Sequence, residues 1–299
     1  MAQLTSGQFA NSVEPGLRMV FANEFNSVPD SLIAPLYRIE TSNKKNEDYL
    51  EVEDIGNVPQ FTGNLQYTTA QEGNSKSVSN VAYALGLKIQ RELSDDDLYG
   101  VIEELVRSMG EVARYRMEQD AAGPFVSAFT TTYTTFDGLS LCNSAHTYES
   151  TSTTQSNSGT SAFSYSALDA TWILMRKYKN SQDRTILTMK PDMLLGPVDL
   201  ASQFHEVIES KLRPGTNNNN KNAYEGAFTY KTTTFLQDTN NWFMIDSKKM
   251  KRFLLWQQRI PLEFGRDGDF DTFVKKYALY MRYANTPLSW VFVYGHNAS

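Results

Sequence analysis

Cysteine is all but missing from this chain: Cys142 is the single one in 299 residues. One cysteine excludes an intramolecular disulfide framework and suits a reducing compartment. No run of about eighteen apolar residues occurs, so no membrane-spanning helix is expected. The opening residues, MAQLTSGQFANSVEPG, carry neither the positive nor the apolar region of a secretory signal, and a soluble protein is expected. A basic block is missing too. Lys plus Arg numbers 28 against 34 for Asp plus Glu, a net charge of −6. That balance disfavours tight DNA binding driven by counterion release.

The motifs of common enzyme classes are also lacking. No G-x-S-x-G, G-x-G-x-x-G or phosphate-loop pattern is present. His205-Glu206 begins like a zinc-protease helix, but the second histidine position is Glu209, and His146 and His296 are far off in sequence. A solvated helix face is the expectation there. Asp267-Gly268-Asp269-Phe270-Asp271 begins like a calcium loop, but the glycine and glutamate positions hold Thr272 and Ala278, which points to an acidic turn. Cys142 and His146 could be drawn as nucleophile and base, yet no third orienting group is evident in their Ser/Thr-rich stretch. No cofactor and no metal are expected.

What is present is led by the stretch 94–123. Leu98, Ile102, Leu105, Met109 and Val112 recur at spacings of four and three, the stripe of an α-helix core face. Ser94 is a good N-cap, and Asp95 to Asp97 suit the positive dipole end. Gly123 in a left-handed conformation, followed by Pro124, would end the helix. Glu103 with Arg107 and Arg114 with Glu118 are i,i+4 pairs on the opposite face. At 1.5 Å per residue such a spine is roughly 40 Å long.

Before the spine, residues 14–25 suit a short helix and the remaining N-terminal residues an extended arm. Alternation over 49–55 and, more strongly, over 80–91 predicts two strands. About 25 polar, Gly-rich residues separate them, more than a compact domain usually leaves unstructured. A long hairpin packing on another molecule explains them, with its tip near Gln71, Glu72, Gly73, Asn74 and Ser75, and Lys76 close by. After the spine, Asp137-Gly138 signals a turn. A helix is predicted over 164–180 with Leu168, Trp172, Met175 and Tyr178 as its stripe, a buried strand over TILTMKP ending at Pro191, and a helix over 197–210. RPGTNNNNKNAYEG is expected to be an exposed loop. RFLLW, PLEF, FVKKYALYMRYA and LSWVFVYG read as strands, separated by GRDGD and by Asn285-Thr286-Pro287.

The order of these parts resembles the major capsid proteins of tailed phages with the Hong Kong 97-type α+β fold. Three stretches carry the likeness. LKIQRELSDDDLYG enters the spine as in phage head subunits, particularly the Mu-like group. FDGLSLCNSAHT is similar to that group's DG-x-x-L-x-x-x-x-H stretch. FGRDGDFDTFVKKYALYMRYANTPLSWVFVYG resembles the family's closing segment. The resemblance implies an N-arm over 1–48 and an extended loop over 49–93. It implies a peripheral domain from 94–125 and 246–299, and an axial domain over 126–245.

The function implied is a shell around double-stranded DNA, with no enzymatic activity. Partners would be copies of the chain in hexamers and pentamers, a portal protein, and packaged DNA held without sequence recognition. A decoration protein is also compatible. No long charged helical region precedes the arm, so a separate scaffolding protein is expected. The virion is the implied location, after assembly in the host bacterial cytoplasm. The extended-loop tip (Gln71 to Lys76) and the peripheral loop (Asp267, Gly268, Asp269 and Asp271) would be assembly contacts. Some relatives weld neighbours by an isopeptide bond to an asparagine after a Phe-Val-Lys turn. Here Phe273-Val274-Lys275 is followed by Lys276, which offers no carboxamide carbon. Two other classes stay open: a tail-tube or decoration protein, and a hydrolase using Cys142 or His146.

Overall fold

In a computed structural model of the chain, the residues described are 6–27, 31–65, 67–69, 71–90, 92, 99–151, 153–215, 220–268 and 274–298. Helix α1 (Ser6–Asn26) opens the chain, longer than the short helix expected. Then come α2 (Ile33–Leu36), β1 (Arg38–Thr41), β2 (Asn46–Val52), β3 (Glu72–Ser79) and β4 (Val81–Ile89). The spine is α3 (Tyr99–Val126). It is followed by β5 (Ser158–Gly159), α4 (Tyr165–Arg176), β6 (Met193–Pro197), α5 (Ala201–Glu209), β7 (Thr229–Thr233) and β8 (Trp242–Ile245). The chain closes with α6 (Ser247–Phe253), β9 (Leu254–Gly268), β10 (Lys275–Pro287) and β11 (Val293–His296).

Two sheets organise these elements. The first has the order β1-β9-β10-β4, with β10 antiparallel to both neighbours and β1 parallel to β9. The second has the order β5-β11-β8-β6-β7. A separate two-stranded ladder joins β2 to β3. The core runs from one sheet into the other without a break: Met117, Ala121, Phe125, Trp256 and Met281 share a cluster with Leu195, Phe243, Ile245 and Phe292. The closing segment was expected to stay with the spine. Instead it leaves the first sheet at Pro287 and enters the second as β11.

The spine departs from expectation in its buried face. Ile102 and Met109 are buried, but Leu105 and Val112 are 37% and 49% exposed. Leu98 lies outside the described residues. The true inner stripe is Ile102, Val106, Met109, Ala113 and Met117, again spaced at three and four. Leu17 and Phe21 of α1 and Tyr277 and Leu279 of β10 pack against its first part. Gly110 lets α1 come close, because a Cβ there would sit 2.9 Å from the Phe21 carbonyl. The apolar arc is wider than one face because Val101, Leu105, Val112 and Tyr115 make a second, exposed stripe. The two ion pairs also separate. Glu103–Arg107 (3.2 Å) is exposed, whereas Arg114–Glu118 (2.7 Å) is turned inward, where Glu118 also accepts the Leu32 N–H at 2.7 Å.

The spine does not stop at Gly123. It runs through Gly123 and Pro124 to Val126. Proline removes one helical N–H and crowds the carbonyl four residues back. That carbonyl, of Asp120, accepts from the Asn285 amide, and the next one, of Ala121, accepts from the Tyr37 hydroxyl at 2.6 Å. Gly123 is needed for another reason: a Cβ there would meet the Tyr133 hydroxyl at 2.5 Å. Further on, TILTMKP is not a strand. Leu187 is almost fully exposed, and the buried strand is β6, just after Pro191. Arg252 and Phe253 of RFLLW end α6, its LLW and PLEF lie in one continuous strand, and Asn285-Thr286-Pro287 lies inside β10 rather than between strands. The helix predicted over 164–180 forms but ends at Arg176, before Tyr178, and the Ser164 hydroxyl caps it by accepting the Ala167 N–H.

Candidate assembly surfaces

The hairpin formed by β2 and β3 carries the feature that stands out chemically. Asn46 pairs with Ser79, Tyr49 with Lys76 and Val52 with Glu72. Glu72, Gly73, Asn74, Ser75 and Lys76 are therefore strand residues, and Gln71 hands its carbonyl to the Glu53 N–H at 3.2 Å. The tip is not where the sequence placed it. It falls within the connection 53–71, because the alternation that marks a strand is too weak in EGNSKSVS to be read without its partner.

The faces of this hairpin are inverted relative to an ordinary surface ribbon. Leu50 and Val52 of β2, and Ile55, Val58, Phe61, Leu65 and Tyr67 of the connection beyond it, are all exposed, Val58 and Tyr67 more than nine-tenths so. The acidic side faces in. Glu53 is buried and accepts the Ser150 N–H at 3.0 Å, while the Asp54 N–H donates to Ser181 Oγ at 3.0 Å. Arg184 donates to Asn57 Oδ1 at 3.1 Å and to the Ile55 carbonyl. Strand periodicity alone cannot tell which of two alternating faces is covered.

At the root, Lys76 reaches into the body. Its ammonium donates to the carbonyl of Thr134, to Thr286 Oγ1 at 2.7 Å and to the Pro287 carbonyl at 3.1 Å. Burial lowers its pKa to about 8, with Asp137 pulling the other way. Glu51, on the opposite strand, is pushed up to about 7 by burial and then by the Glu53 and Asp137 carboxylates. Asn74 hydrogen bonds act against that shift.

The turn expected at Asp137-Gly138 is present, bridged by Thr134 and Ser140. Burial raises the Asp137 carboxyl, but hydrogen bonds from His146, Thr135 and Leu139 outweigh it and leave the group below the usual carboxylate range. His146 Nδ1 lies 2.6 Å from Asp137 and its ring stacks on Trp290 at 4.7 Å. This orienting carboxylate was not evident in the sequence. It holds a fully buried imidazole, and Cys142 is itself buried with its thiol pushed up by desolvation. These are the traits of packed structural groups, not of an accessible nucleophile and base.

Asp267 and Gly268 end β9, where the Gly268 N–H donates to Asp267 Oδ1 at 2.8 Å. Asp269 and Asp271 lie outside the described residues. His205, Glu206 and Glu209 sit on the exposed side of α5. Among the described residues no group of three metal-ligating side chains comes together, and no helix is long and apolar enough to cross a membrane.

Solved structures of tailed-phage capsids share this fold. The capsid of bacteriophage PhiM1 matches with a TM-score of 0.59 at 9% identity, over 91% of this chain and 88% of that one. The capsid of cyanophage P-SCSP1u matches with a TM-score of 0.58 at 12% identity, over 88% and 86%. The procapsid of bacteriophage JBD30 matches with a TM-score of 0.54 at 10% identity, over 99% and 77%. No curated protein sequence matches. The phage capsid protein family matches residues 74–294, and the chain belongs to that family. Its fold is the Hong Kong 97-type α+β capsid fold, and its place is the phage virion.

Proposed function

We propose that this chain is the repeating subunit of a closed icosahedral shell, and that its hairpin is a principal contact between copies. The inverted hairpin carries this reading. An outward row from Leu50 to Tyr67 exposes more large apolar side chains than an isolated subunit gains from exposing. A symmetric shell supplies the same cover to every copy. The α1 helix, the end of β9 at Asp267 and Gly268, and the exposed spine stripe are the further surfaces available. Within the family, the DG-x-x-L-x-x-x-x-H stretch favours the Mu-like group. The hexamers and pentamers, a portal, a separate scaffolding protein, a decoration protein and packaged double-stranded DNA are assigned by this reading of a container filled from outside. The sheets suggest a peripheral unit around α3, β9 and β10 and an axial unit around β6, β8 and β11.

Sedimentation of the purified full chain tests this. The parent should sediment as particles far heavier than the 33.9 kDa subunit. A variant with 56–69 replaced by a short Gly-Ser turn, which leaves β2 and β3 intact, should stay folded and fail to form them. Unimpaired particles from that variant would remove the hairpin from the contact set. A parent that remains a monomer or small trimer would speak against a shell subunit.

A further inference from the structure

At the root of the hairpin, Lys76 and Glu51 are half-buried, and among the described residues neither forms an ion pair. The three oxygens around the Lys76 ammonium are all uncharged. They come from two places, the turn after the spine and the end of β10, so one side chain ties the hairpin to the junction of the two sheets. Burial acts most strongly on Glu51, and its leading charged influences are carboxylates, Glu53 beyond its own strand and Asp137 from the turn. Asp137 is already committed to His146. The Tyr148 phenol and Asp54 face the same cluster. Arg38 of β1, Arg184, and Lys249 and Arg252 of α6 line the cavity of about 790 Å³ that Glu51 also lines. Beyond this root, Leu50 and Val52 of β2 and the apolar residues from Ile55 to Tyr67 of the connection are exposed among the described residues of the subunit.

We propose that the hairpin is a spring-loaded arm, parked on its own subunit through Lys76 and Glu51 and released toward a second copy when those two side chains return to water. The proposal rests on the reading of the hairpin as a contact between copies. Release restores full hydration to an ammonium and a carboxylate that are half-buried in the parked state, and frees the Leu50–Tyr67 row to reach a neighbour. The pH dependence has a definite sign. The parked state favours the acid form of Glu51, so parking strengthens as pH falls below about 7. It also favours the neutral form of Lys76, so parking strengthens again as pH rises above about 8. The arm is parked least firmly between those values, where both groups are charged.

Hydrogen exchange on the full chain, held below its assembly concentration, reads this directly. Amides of β2 and β3 are compared with those of the spine after correction for intrinsic exchange. Relative to the spine, the hairpin should open about tenfold or more in excess at pH 7.5 over pH 5.5. Glu51→Gln should abolish that difference and protect the hairpin at pH 7.5. Equal opening at the two pH values, or a Glu51→Gln variant that opens like the parent, would overturn the proposal. The parent alone supplies the pH comparison if the variant folds poorly. Assembly rate separates the two readings: the variant should form particles at least tenfold more slowly at pH 7.5. A protected hairpin with an unchanged assembly rate would overturn the hairpin's role in assembly while the parking mechanism stands.

Discussion

Asn285 donates its side-chain amide to the carbonyl of Asp120, the acceptor that Pro124 leaves without a helical donor. The spine passes through a proline because a strand 165 residues away in sequence completes its hydrogen bonding. Replacing Asn285 by Leu leaves that carbonyl unsatisfied beside the buried Tyr283–Asp120 hydrogen bond of 2.7 Å. The expected cost is about 1–3 kcal/mol in chemical denaturation. Adding Pro124→Ala restores a backbone N–H and should recover part of the loss. A neutral Asn285→Leu would show that water or a neighbour replaces the amide.

The corrected spine face makes a second prediction. Met109 is buried in the cluster shared with α1 and β10, so Met109→Ala should cost about 2–5 kcal/mol. Leu105 and Val112, read from the sequence as core, are exposed in the subunit. Their substitution by Ala should change subunit stability by about 0.5 kcal/mol or less. Urea denaturation of the three variants decides it, and equal losses would restore the original face.

These cases show what the sequence could and could not carry. The spine and β10 were legible because their periodicities are local and their apolar residues many. The passage through Gly123-Pro124 was not, since Tyr37 and Asn285 supply the compensating donors from distant positions. The hairpin was legible as a long polar insertion, but its tip was misplaced and its covered face was not assigned. Leu50 and Val52 alternate with Glu51 and Glu53 in either orientation, and only the packed body shows that the acids turn inward. Likewise the Asp137–His146 pair joins residues nine apart across a turn, a contact that spacing alone does not imply.

The buried C-terminal imidazole predicts an acid-sensitive closure. His296 stacks on Trp242 at 4.3 Å, accepts the Ser161 N–H on Nδ1 and meets Thr171 Oγ1 at 2.8 Å. Burial lowers its pKa to about 4 from the ordinary 6.5. The unfolded chain therefore binds the extra proton first, and the contribution to stability is present above pH 6.5 and lost as pH falls toward 4. The denaturation midpoint of the parent should drop across that window, and His296→Gln should lack the step. Identical pH profiles would assign the acid sensitivity elsewhere.

Covalent welding of the shell is not expected. By the resemblance to capsid proteins, the Phe-Val-Lys turn is followed here by Lys276, which offers no carboxamide, and the Lys76 amine is held by Thr134, Thr286 and Pro287 of its own subunit in the parked hairpin. Denaturing electrophoresis of mature particles should show one band near 33.9 kDa. A ladder of multimers surviving heat and reductant would reveal an acceptor elsewhere in the chain.

The central claim is that the chain builds a closed shell whose subunits cover one another's hairpins. Electron cryomicroscopy of particles assembled from the purified full chain tests it most directly. The account predicts icosahedral shells in which the row from Leu50 to Tyr67 of each subunit is buried against another copy. Open tubes, small discrete oligomers, or a shell that leaves that row in solvent would contradict it.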